Sequence, residues 1–164
     1  MAVTERLRRV LDEQHVDYQL LPHREAFTAQ EVAQASRVPG RELAKTLVVR
    51  EDGARYFMVV LPAPCRVDLA ALGQARGTRK LQLASEGELA ELFPDCEIGA
   101  MPPFGNLYDL PVYVDACLPR SADVVFQAGN HHEVVRMRYP DFERLVQPIA
   151  GEYCLHARER RMDE

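Results

Sequence analysis

Lys45 is the first residue of this sequence whose type and position could do chemistry. It interrupts the apolar stretch of residues 43–49, whose aliphatic and β-branched side chains predict a strand. Only Lys45 and Lys80 are lysines among the 20 Lys and Arg residues of the chain. An ammonium at the edge of a sheet could bind a phosphate or polarise an ester. The alternative is a lysine whose stem covers the sheet while its head reaches water.

A second candidate is the loop of residues 99–105, in which two glycines bracket two prolines. Glycine allows a ligand to approach the backbone closely, and proline holds the neighbouring backbone in place. A loop so constrained and so apolar predicts more than a solvated connection. It forms either a ligand site or a rigid connection that caps the core, and the sequence favours neither.

The third candidate is the cluster His131-His132-Glu133, which could act as an acid/base group or hold a metal ion. We expect residues 131–138 to form a strand, in which adjacent side chains point to opposite faces. The two histidines could then not easily share one metal ion. His131 would look into a pocket and His132 would be solvated. We therefore predict no metal site, and we expect no cofactor.

The usual nucleophile and phosphate-binding motifs are absent from the sequence. It contains no G-x-S-x-G, no G-x-x-x-x-G-K, no G-x-G-x-x-G and no H-E-x-x-H. Thr28 and Thr46 are candidate hydroxyl contacts, although a helix cap explains Thr28 equally well. An enzyme built from this chain would act by positioning and electrostatics, or would use a reactive group of its substrate.

The elements that must position these residues predict an α+β fold. Periodicity and breakers predict helices near residues 3–14, 28–35, 68–72, 85–93 and 140–147, and strands near 16–20, 43–49, 56–61, 80–84, 111–115, 124–128 and 131–138. Capping boxes at Thr28-Glu31 and Ser85-Glu88 mark two helix starts. A Gly-containing turn joins two apolar strands into a hairpin at the sheet centre. We therefore predict a mixed, largely antiparallel central β-sheet flanked by short helices.

Length and composition predict a single domain. The 164 residues, 47% hydrophobic and 27% charged, can bury a substantial core. We expect residues 1–150 to form the domain and residues 151–164 to form a charged, frayed tail. No apolar run approaches the ~20 residues that cross a bilayer, and the start of the chain lacks a signal-peptide pattern. A cytoplasmic protein without membrane contact is the expectation.

Charge and cysteine usage narrow the function classes. The net charge of −5 argues against a protein that coats nucleic acid through a broad basic surface. It still allows a nucleic-acid end to dock on a local basic patch. The spacing of the 4 cysteines contains no C-x-x-C pair and no zinc pattern. Reduced, unpaired thiols are expected.

Several segments together resemble the family of YbaK proteins and prolyl-tRNA synthetase-associated editing domains. They are residues 44–49, the G-x-x-x-P loop of residues 99–103, the following Phe104-Gly105, residues 110–115 and residues 128–131. The resemblance runs from about residue 10 to residue 148. It implies the α+β fold of that family and hydrolysis of the ester that joins a wrong amino acid to the 3′-terminal adenosine of tRNA. No synthetase is attached here, so the free-standing, trans-acting form is implied.

The resemblance also implies roles for individual residues. Lys45 would hold the terminal nucleotide, with Lys45 and His131 as the catalytic residues. The implied substrate-binding residues are Thr28, Thr46, Gly99, Ala100, Met101, Pro102, Pro103 and Gly129. The ribose hydroxyl beside the ester, or a water that it orients, would supply the attacking group. Pro102 departs from the small polar residue of many members, which leaves the amino-acid preference open.

We therefore expect a trans-acting aminoacyl-tRNA deacylase for a small amino acid such as Ala, Ser, Thr or Cys. Pocket size would exclude larger aminoacyl groups. The expected partner is the aminoacylated 3′ end of tRNA, with a synthetase as an optional further partner and no DNA. Two alternatives stay open: a non-catalytic module that binds aminoacyl-tRNA or a synthetase, and an enzyme that acts on a different small ester or amide.

Overall fold

The strands of this protein divide between two sheets, with the helices packed around them. A computed structural model describes residues 2–53, 55–118 and 122–155. The helices are α1 (Glu5–Glu13), α2 (Ala29–Ser36), α3 (Leu69–Arg76), α4 (Glu86–Leu92), α5 (Tyr139–Val146) and a 3₁₀ helix (Gly105–Tyr108). The strands are β1 (Tyr18–Pro22), β2 (Ala44–Glu51), β3 (Arg55–Pro62), β4 (Leu81–Leu83), β5 (Val112–Asp115), β6 (Asp123–Gln127), β7 (Glu133–Arg138) and β8 (Ile149–Gly151).

The larger sheet has the strand order β4-β2-β3-β5-β8, and the smaller sheet has the order β1-β7-β6. The pairs β3–β5 and β5–β8 are parallel, and the other pairs are antiparallel. A parallel bridge between Leu43 and Val125 links the start of β2 to β6, and so links the two sheets. The predicted α+β class with mixed, largely antiparallel pairing is confirmed, with the strands shared between two linked sheets.

The β2–β3 hairpin forms the middle of the larger sheet, as predicted. Its register pairs Lys45 with Leu61. The turn uses positive φ values at Asp52 and Gly53, and glycine adopts this left-handed region without steric cost. Nearly all of β3 is buried, because both faces of the sheet are covered. The hairpin is therefore a rigid base for the residues at its open end, where Lys45 lies.

Two hydrophobic cores lie on opposite faces of β2. The larger core contains Ala44 and Val48, and the smaller core contains Val49. Side chains alternate between the faces of a strand. Lys45 therefore shares the face of Val49, and Thr46 shares the face of Ala44 and Val48. The neighbouring residues Lys45 and Thr46 thus face opposite sides of the sheet.

Side-chain caps fix both helix starts that the sequence marks. The Thr28 hydroxyl accepts the Glu31 N–H at 3.1 Å at the start of α2. Ser85 and Glu88 form a complete reciprocal capping box at the start of α4. Within the described residues, no helix is both long and apolar enough to cross a membrane. The cap of α2 matters most for the site, because it fixes the position of Thr28.

The irregular stretch between α4 and β5 packs against the larger core instead of extending into solvent. Met101 and Phe104 are members of that core. A Cβ at Gly105 would lie 2.6 Å from the Leu110 carbonyl oxygen and 2.6 Å from Val112 Cγ2, so only glycine fits there. The predicted constrained loop is thus held firmly at its C-terminal end.

The structure departs from the sequence prediction beyond α5. The short strand β8 pairs in parallel with β5 and was not predicted. After it, the Tyr153 N–H donates to the Asp115 carboxylate at 2.8 Å, and Cys154 is fully buried. The packed body therefore continues past the predicted domain end at residue 150, because partners distant in sequence hold it. Residues 156–164 of the predicted tail lie outside the described residues.

Candidate active site

Lys45 lies at the start of β2 with its ammonium half buried and unpaired. Its side chain makes no salt bridge and no hydrogen bond within the described part of the chain. Burial lowers the pKa of this ammonium from its usual value, while the neighbouring Cys65 and Cys154 act in the opposite direction. Partial desolvation of an unpaired charge is unfavourable, and an anionic ligand would relieve it. Lys45 is therefore suited to bind an anion.

A cleft of about 620 Å³ opens in front of Lys45. Its walls are the N-cap Thr28 with the first turn of α2, and residues 63–66 after β3. Arg66 is exposed on this wall and adds a second cation, and Glu31 adds one carboxylate. The structure thus brings two of the predicted site residues, Thr28 and Lys45, into one cleft with an excess of positive charge.

Cys65 lines the same cleft, but its thiol is not suited to act as a nucleophile. Burial raises the pKa of the Cys65 thiol to about 12, and the neighbouring Cys154 adds to the effect. The thiolate is the nucleophilic form of cysteine, so very little of it is present at neutral pH. All four cysteines carry free thiols, as the sequence predicts.

Two backbone hydrogen bonds clasp the loop of residues 97–100 to the turn at Gly129. The Glu97 N–H donates to the Gly129 carbonyl at 2.8 Å, and the Gly129 N–H donates to the Ala100 carbonyl at 2.7 Å. Gly129 has a φ of +124°, and a Cβ there would lie 2.9 Å from Thr4 Cγ2. Only glycine suits this close approach. The structure therefore brings two predicted site residues, Ala100 and Gly129, into contact.

The remaining loop residues divide between surface and core. Met101, Pro102 and Pro103 are buried, and Met101 packs in the larger core. Gly99 is exposed with a φ of +85°, and its amide has no hydrogen-bond partner among the residues that the structure describes. A ligand can therefore reach the backbone near Gly99, while the side chains of residues 101–103 anchor the loop.

Thr46 lies on the opposite face of β2 from Lys45. It is half buried and pairs with Val60 in the hairpin register. It faces the larger core, which also contains Met101. The β2 strand thus separates Thr46 from the Lys45 side chain, and the structure does not group Thr46 with the cleft residues.

His131 is buried, and both of its ring nitrogens are engaged. Nε2 lies 2.8 Å from the Ile98 carbonyl oxygen, and Nδ1 lies 3.2 Å from the side-chain amide nitrogen of Gln127. A carbonyl oxygen only accepts, so Nε2 carries the proton and Nδ1 accepts from the amide. His131 therefore holds the loop at Ile98 in place. In this arrangement neither ring nitrogen is left for proton transfer.

The strand predicted over residues 131–138 begins at Glu133 instead. A turn precedes it, in which the Asn130 side-chain oxygen accepts the His132 N–H at 3.0 Å. The prediction that His131 lies on a strand is wrong, because His131 lies in that turn. His132 is exposed, as expected. No group of three or more His, Cys, Asp or Glu residues in the described ranges could hold a metal ion.

Sequence reasoning missed Phe27, which connects the two halves of the site. Its ring centroid lies 4.8 Å from that of His131, and the residue is 62% exposed. Phe27 directly precedes Thr28, so one step along the chain leads from the Lys45 cleft to His131. An apolar residue before a helix cap is ordinarily explained as a hydrophobic staple. For this reason the sequence pattern carried no functional signal.

A comparison with known families identifies the family of this chain. The family model described as "Aminoacyl-tRNA editing domain" matches residues 23–145, a range that contains Thr28, Lys45 and His131. The chain belongs to the aminoacyl-tRNA editing domain family. The resemblance predicted from the motifs is thereby confirmed. The predicted enzyme class, a hydrolase acting on aminoacyl-tRNA ester bonds, is confirmed with it.

Relatives of this editing domain are similar over most of its length. It is 28% identical over 148 residues to "Multifunctional Ser/Thr-tRNA deacylase ProXp-y" of Escherichia coli (strain K12), covering 88% of each chain. It is 28% identical over 141 residues to "Prolyl-tRNA editing protein ProX" of Acetoanaerobium sticklandii, covering 83% of this chain and 85% of that one. The crystal structure of hypothetical protein APE2540 has the same fold, with a TM-score of 0.81 at 20% identity over 92% of this chain and 99% of that one.

Proposed function

We propose that this editing domain is a trans-acting deacylase that hydrolyses the ester of a small mischarged amino acid at the 3′ end of tRNA. The observation that carries the proposal is the unpaired, half-buried ammonium of Lys45 in its cleft. A tRNA 3′ end presents a phosphate and an ester. This site presents a cation at Lys45 and an exposed backbone at Gly99, and Thr28, Phe27 and His131 connect the two. Its substrate would be met in the cytoplasm.

Lys45 and Arg66 are the groups that we expect to hold the terminal phosphates. A phosphate at Lys45 would form a charge-assisted hydrogen bond and relieve the cost of burying the ammonium. Arg66, exposed on the same cleft, could meet the next phosphate of a single-stranded end. Because the chain has a net charge of −5, this local patch must attract the tRNA, and binding should be salt-sensitive. A synthetase that delivers the tRNA would add affinity.

The ester is expected to lie over the backbone at Gly99. The unpaired amide of Gly99 could donate to the carbonyl oxygen as negative charge develops on it. Water adds to the carbonyl carbon, the bond to the ribose oxygen breaks, and the products are the free amino acid and a tRNA with its hydroxyl restored. Both ring nitrogens of His131 are engaged and the Cys65 thiol is neutral. The neighbouring ribose hydroxyl would therefore orient the water.

Size exclusion would set the amino-acid preference. The clasp at Gly129 and the burial of residues 101–103 fix the loop, so the space above Gly99 should not widen easily. In a hydrophobic pocket, one methylene is worth roughly 10- to 200-fold in discrimination. Esters of Ala, Ser, Thr or Cys are therefore expected to react in preference to those of larger amino acids. The names of the two relatives, which concern Ser/Thr-tRNA and prolyl-tRNA editing, support a small or compact substrate.

A panel of mischarged tRNAs tests the proposal. Tyrosyl and leucyl esters on tRNA serve as large controls, and small amino-acid esters without tRNA serve as a second control. We expect release of at least one small amino acid from tRNA and slow release of the large ones. No release from any tRNA would contradict the proposal. Saturable binding without turnover would favour the non-catalytic module, and turnover of the free esters alone would favour a different esterase.

A further inference from the structure

Two large hydrophobic side chains are exposed around His131. Phe27 is 62% exposed and Ile98 is 48% exposed, and they are two of the four exposed large hydrophobic residues in the described part of the chain. The Phe27 ring stands 4.8 Å from the His131 ring, and the Ile98 carbonyl accepts the His131 Nε2–H. Scattered exposed apolar residues need no explanation, but these two both adjoin His131, one through its ring and the other through its backbone carbonyl.

Helix capping does not explain why Phe27 is exposed. Phe27 precedes the N-cap Thr28, and an apolar residue at this position commonly packs against the fourth residue of the helix, here Val32. Val32 is fully buried, yet most of Phe27 remains in water and faces His131. His131 covers only part of the ring, so a ligand that stacks on the 62% exposed residue would remove further apolar surface from water.

The backbone and the ring beneath Phe27 are both fixed. The Ala26 N–H donates to the His131 carbonyl at 3.0 Å, and the next residue, Thr28, caps α2. The His131 ring is held at its edge by the Ile98 carbonyl and the Gln127 amide. Phe27 is therefore exposed but preorganised, which lowers the entropy cost of stacking a planar ligand on it.

We propose that Phe27, supported by His131 and bordered by Ile98, is a stacking platform for the terminal nucleobase of the tRNA 3′ end. The inference rests on the proposed function, which places a phosphate at Lys45. Thr28 lines the Lys45 cleft and adjoins Phe27, so a nucleotide with its phosphate at Lys45 has its base within reach of the ring. Stacking on aromatic side chains is how proteins commonly hold unpaired bases. An apolar protein partner would not require the cation beside it.

Tryptophan fluorescence can test the platform directly, because the chain contains no Trp. Phe27→Trp gives a single emitter at the platform, and Leu83→Trp gives one at a 49% exposed position in β4. Each variant is titrated with a short oligonucleotide ending in CCA, and with the same oligonucleotide lacking its terminal base. We expect saturable quenching of Phe27→Trp by the intact oligonucleotide, roughly 5- to 150-fold weaker binding without the base, and no quenching of Leu83→Trp. An equal response of Phe27→Trp to both oligonucleotides, or none, overturns the proposal.

Kinetics separate this inference from the proposed function. Phe27→Ala should raise KM by roughly 5- to 150-fold with kcat nearly unchanged, because a stacked base contributes equally to ground-state and transition-state binding. Leu83→Ala, outside the platform, should behave like the wild type. Phe27→Tyr keeps an aromatic ring and should recover most of the KM effect of Phe27→Ala. An unchanged KM in Phe27→Ala, with an active wild type, overturns the platform and leaves the deacylase intact. Base-dependent quenching in a protein that releases no amino acid supports the platform, while the deacylase proposal fails. Self-association that Phe27→Ala abolishes, without base-dependent quenching, overturns the platform in favour of an interface between copies.

Discussion

Replacing Glu51 with glutamine is expected to destabilise the strand that carries Lys45. Glu51 ends β2 and is 4% exposed, and the Arg76 guanidinium donates two hydrogen bonds to its carboxylate, one of them at 3.1 Å. Arg76 also donates to the Tyr113 hydroxyl at 3.3 Å and lies 4.9 Å above the centroid of the Phe57 ring. Glu51→Gln leaves this guanidinium against aromatic rings without its counter-charge.

The size of the effect follows from the burial of the pair. Removing one partner of a buried ion pair costs about 3–5 kcal/mol, and a glutamine that keeps one hydrogen bond reduces the loss to about 2–3 kcal/mol. For a domain of this length the melting temperature should fall by about 4–12 °C. Calorimetry measures the shift. Arg144→Ala is the control, since the side chains of its ion pair with Asp141 are 53% and 31% exposed and the pair should be worth less than about 1 kcal/mol.

The same pair should be visible in the pH dependence of stability. The hydrogen bond from Arg76 holds the pKa of the Glu51 carboxyl below its usual value of 4.5. A carboxylate with a lowered folded-state pKa stabilises the fold fully above its unfolded pKa, and the stabilisation is lost as the pH falls through the folded pKa. Denaturant titrations of wild type and Glu51→Gln should differ by a constant amount near neutral pH, and the difference should shrink in acid. A difference that persists in acid, or one below about 1 kcal/mol at neutral pH, would refute this reasoning.

The clasp, the histidine and the cation cleft lead to three further expectations. Gly129→Ala should lower the melting temperature more than Gly53→Ala, because its Cβ would lie 2.9 Å from Thr4 Cγ2 whereas a Cβ at Gly53 meets nothing within 4 Å; equal losses in calorimetry would contradict the clash. His131→Ala should slow deacylation without changing the shape of the pH–rate profile, since neither ring nitrogen is left to transfer a proton, and loss of one limb of the profile would count against this assignment. In binding titrations, the slope of log Kd against log salt should decrease by about 0.7 in Lys45→Ala if one phosphate contact is lost, and an unchanged slope would contradict that contact.

The sequence was informative wherever neighbours along the chain decide the structure. The β2–β3 hairpin depends on two apolar runs and one glycine turn, and the caps at Thr28 and Ser85 depend on residues three positions away. The strand β8 depends instead on pairing with β5 and on a hydrogen bond from Tyr153 to Asp115. Three residues without their own pattern cannot reveal such long-range pairing.

The candidate site was predictable in part for the same reason. Lys45 stood out by residue type, and Gly99 and Gly129 stood out by their turn chemistry. Residues 131–138 alternate like a strand, and this pattern gives no sign of the turn at Asn130. His131 was therefore placed on a strand in error. Phe27 fits a hydrophobic staple in sequence, and only its exposed position beside His131 reveals another use.

The central claim is that Lys45 holds the tRNA 3′ end during deacylation, and kcat/KM for the best small-amino-acid substrate tests it most directly. Wild type, Lys45→Ala and Lys80→Ala are compared after their melting temperatures show that all three are folded. A hydrogen bond to a charged group contributes about 1.5–3 kcal/mol, so Lys45→Ala should lose roughly 10- to 150-fold in kcat/KM. Lys80, exposed just before β4, should tolerate alanine with activity close to wild type. Equal kcat/KM values for Lys45→Ala and wild type would contradict the account.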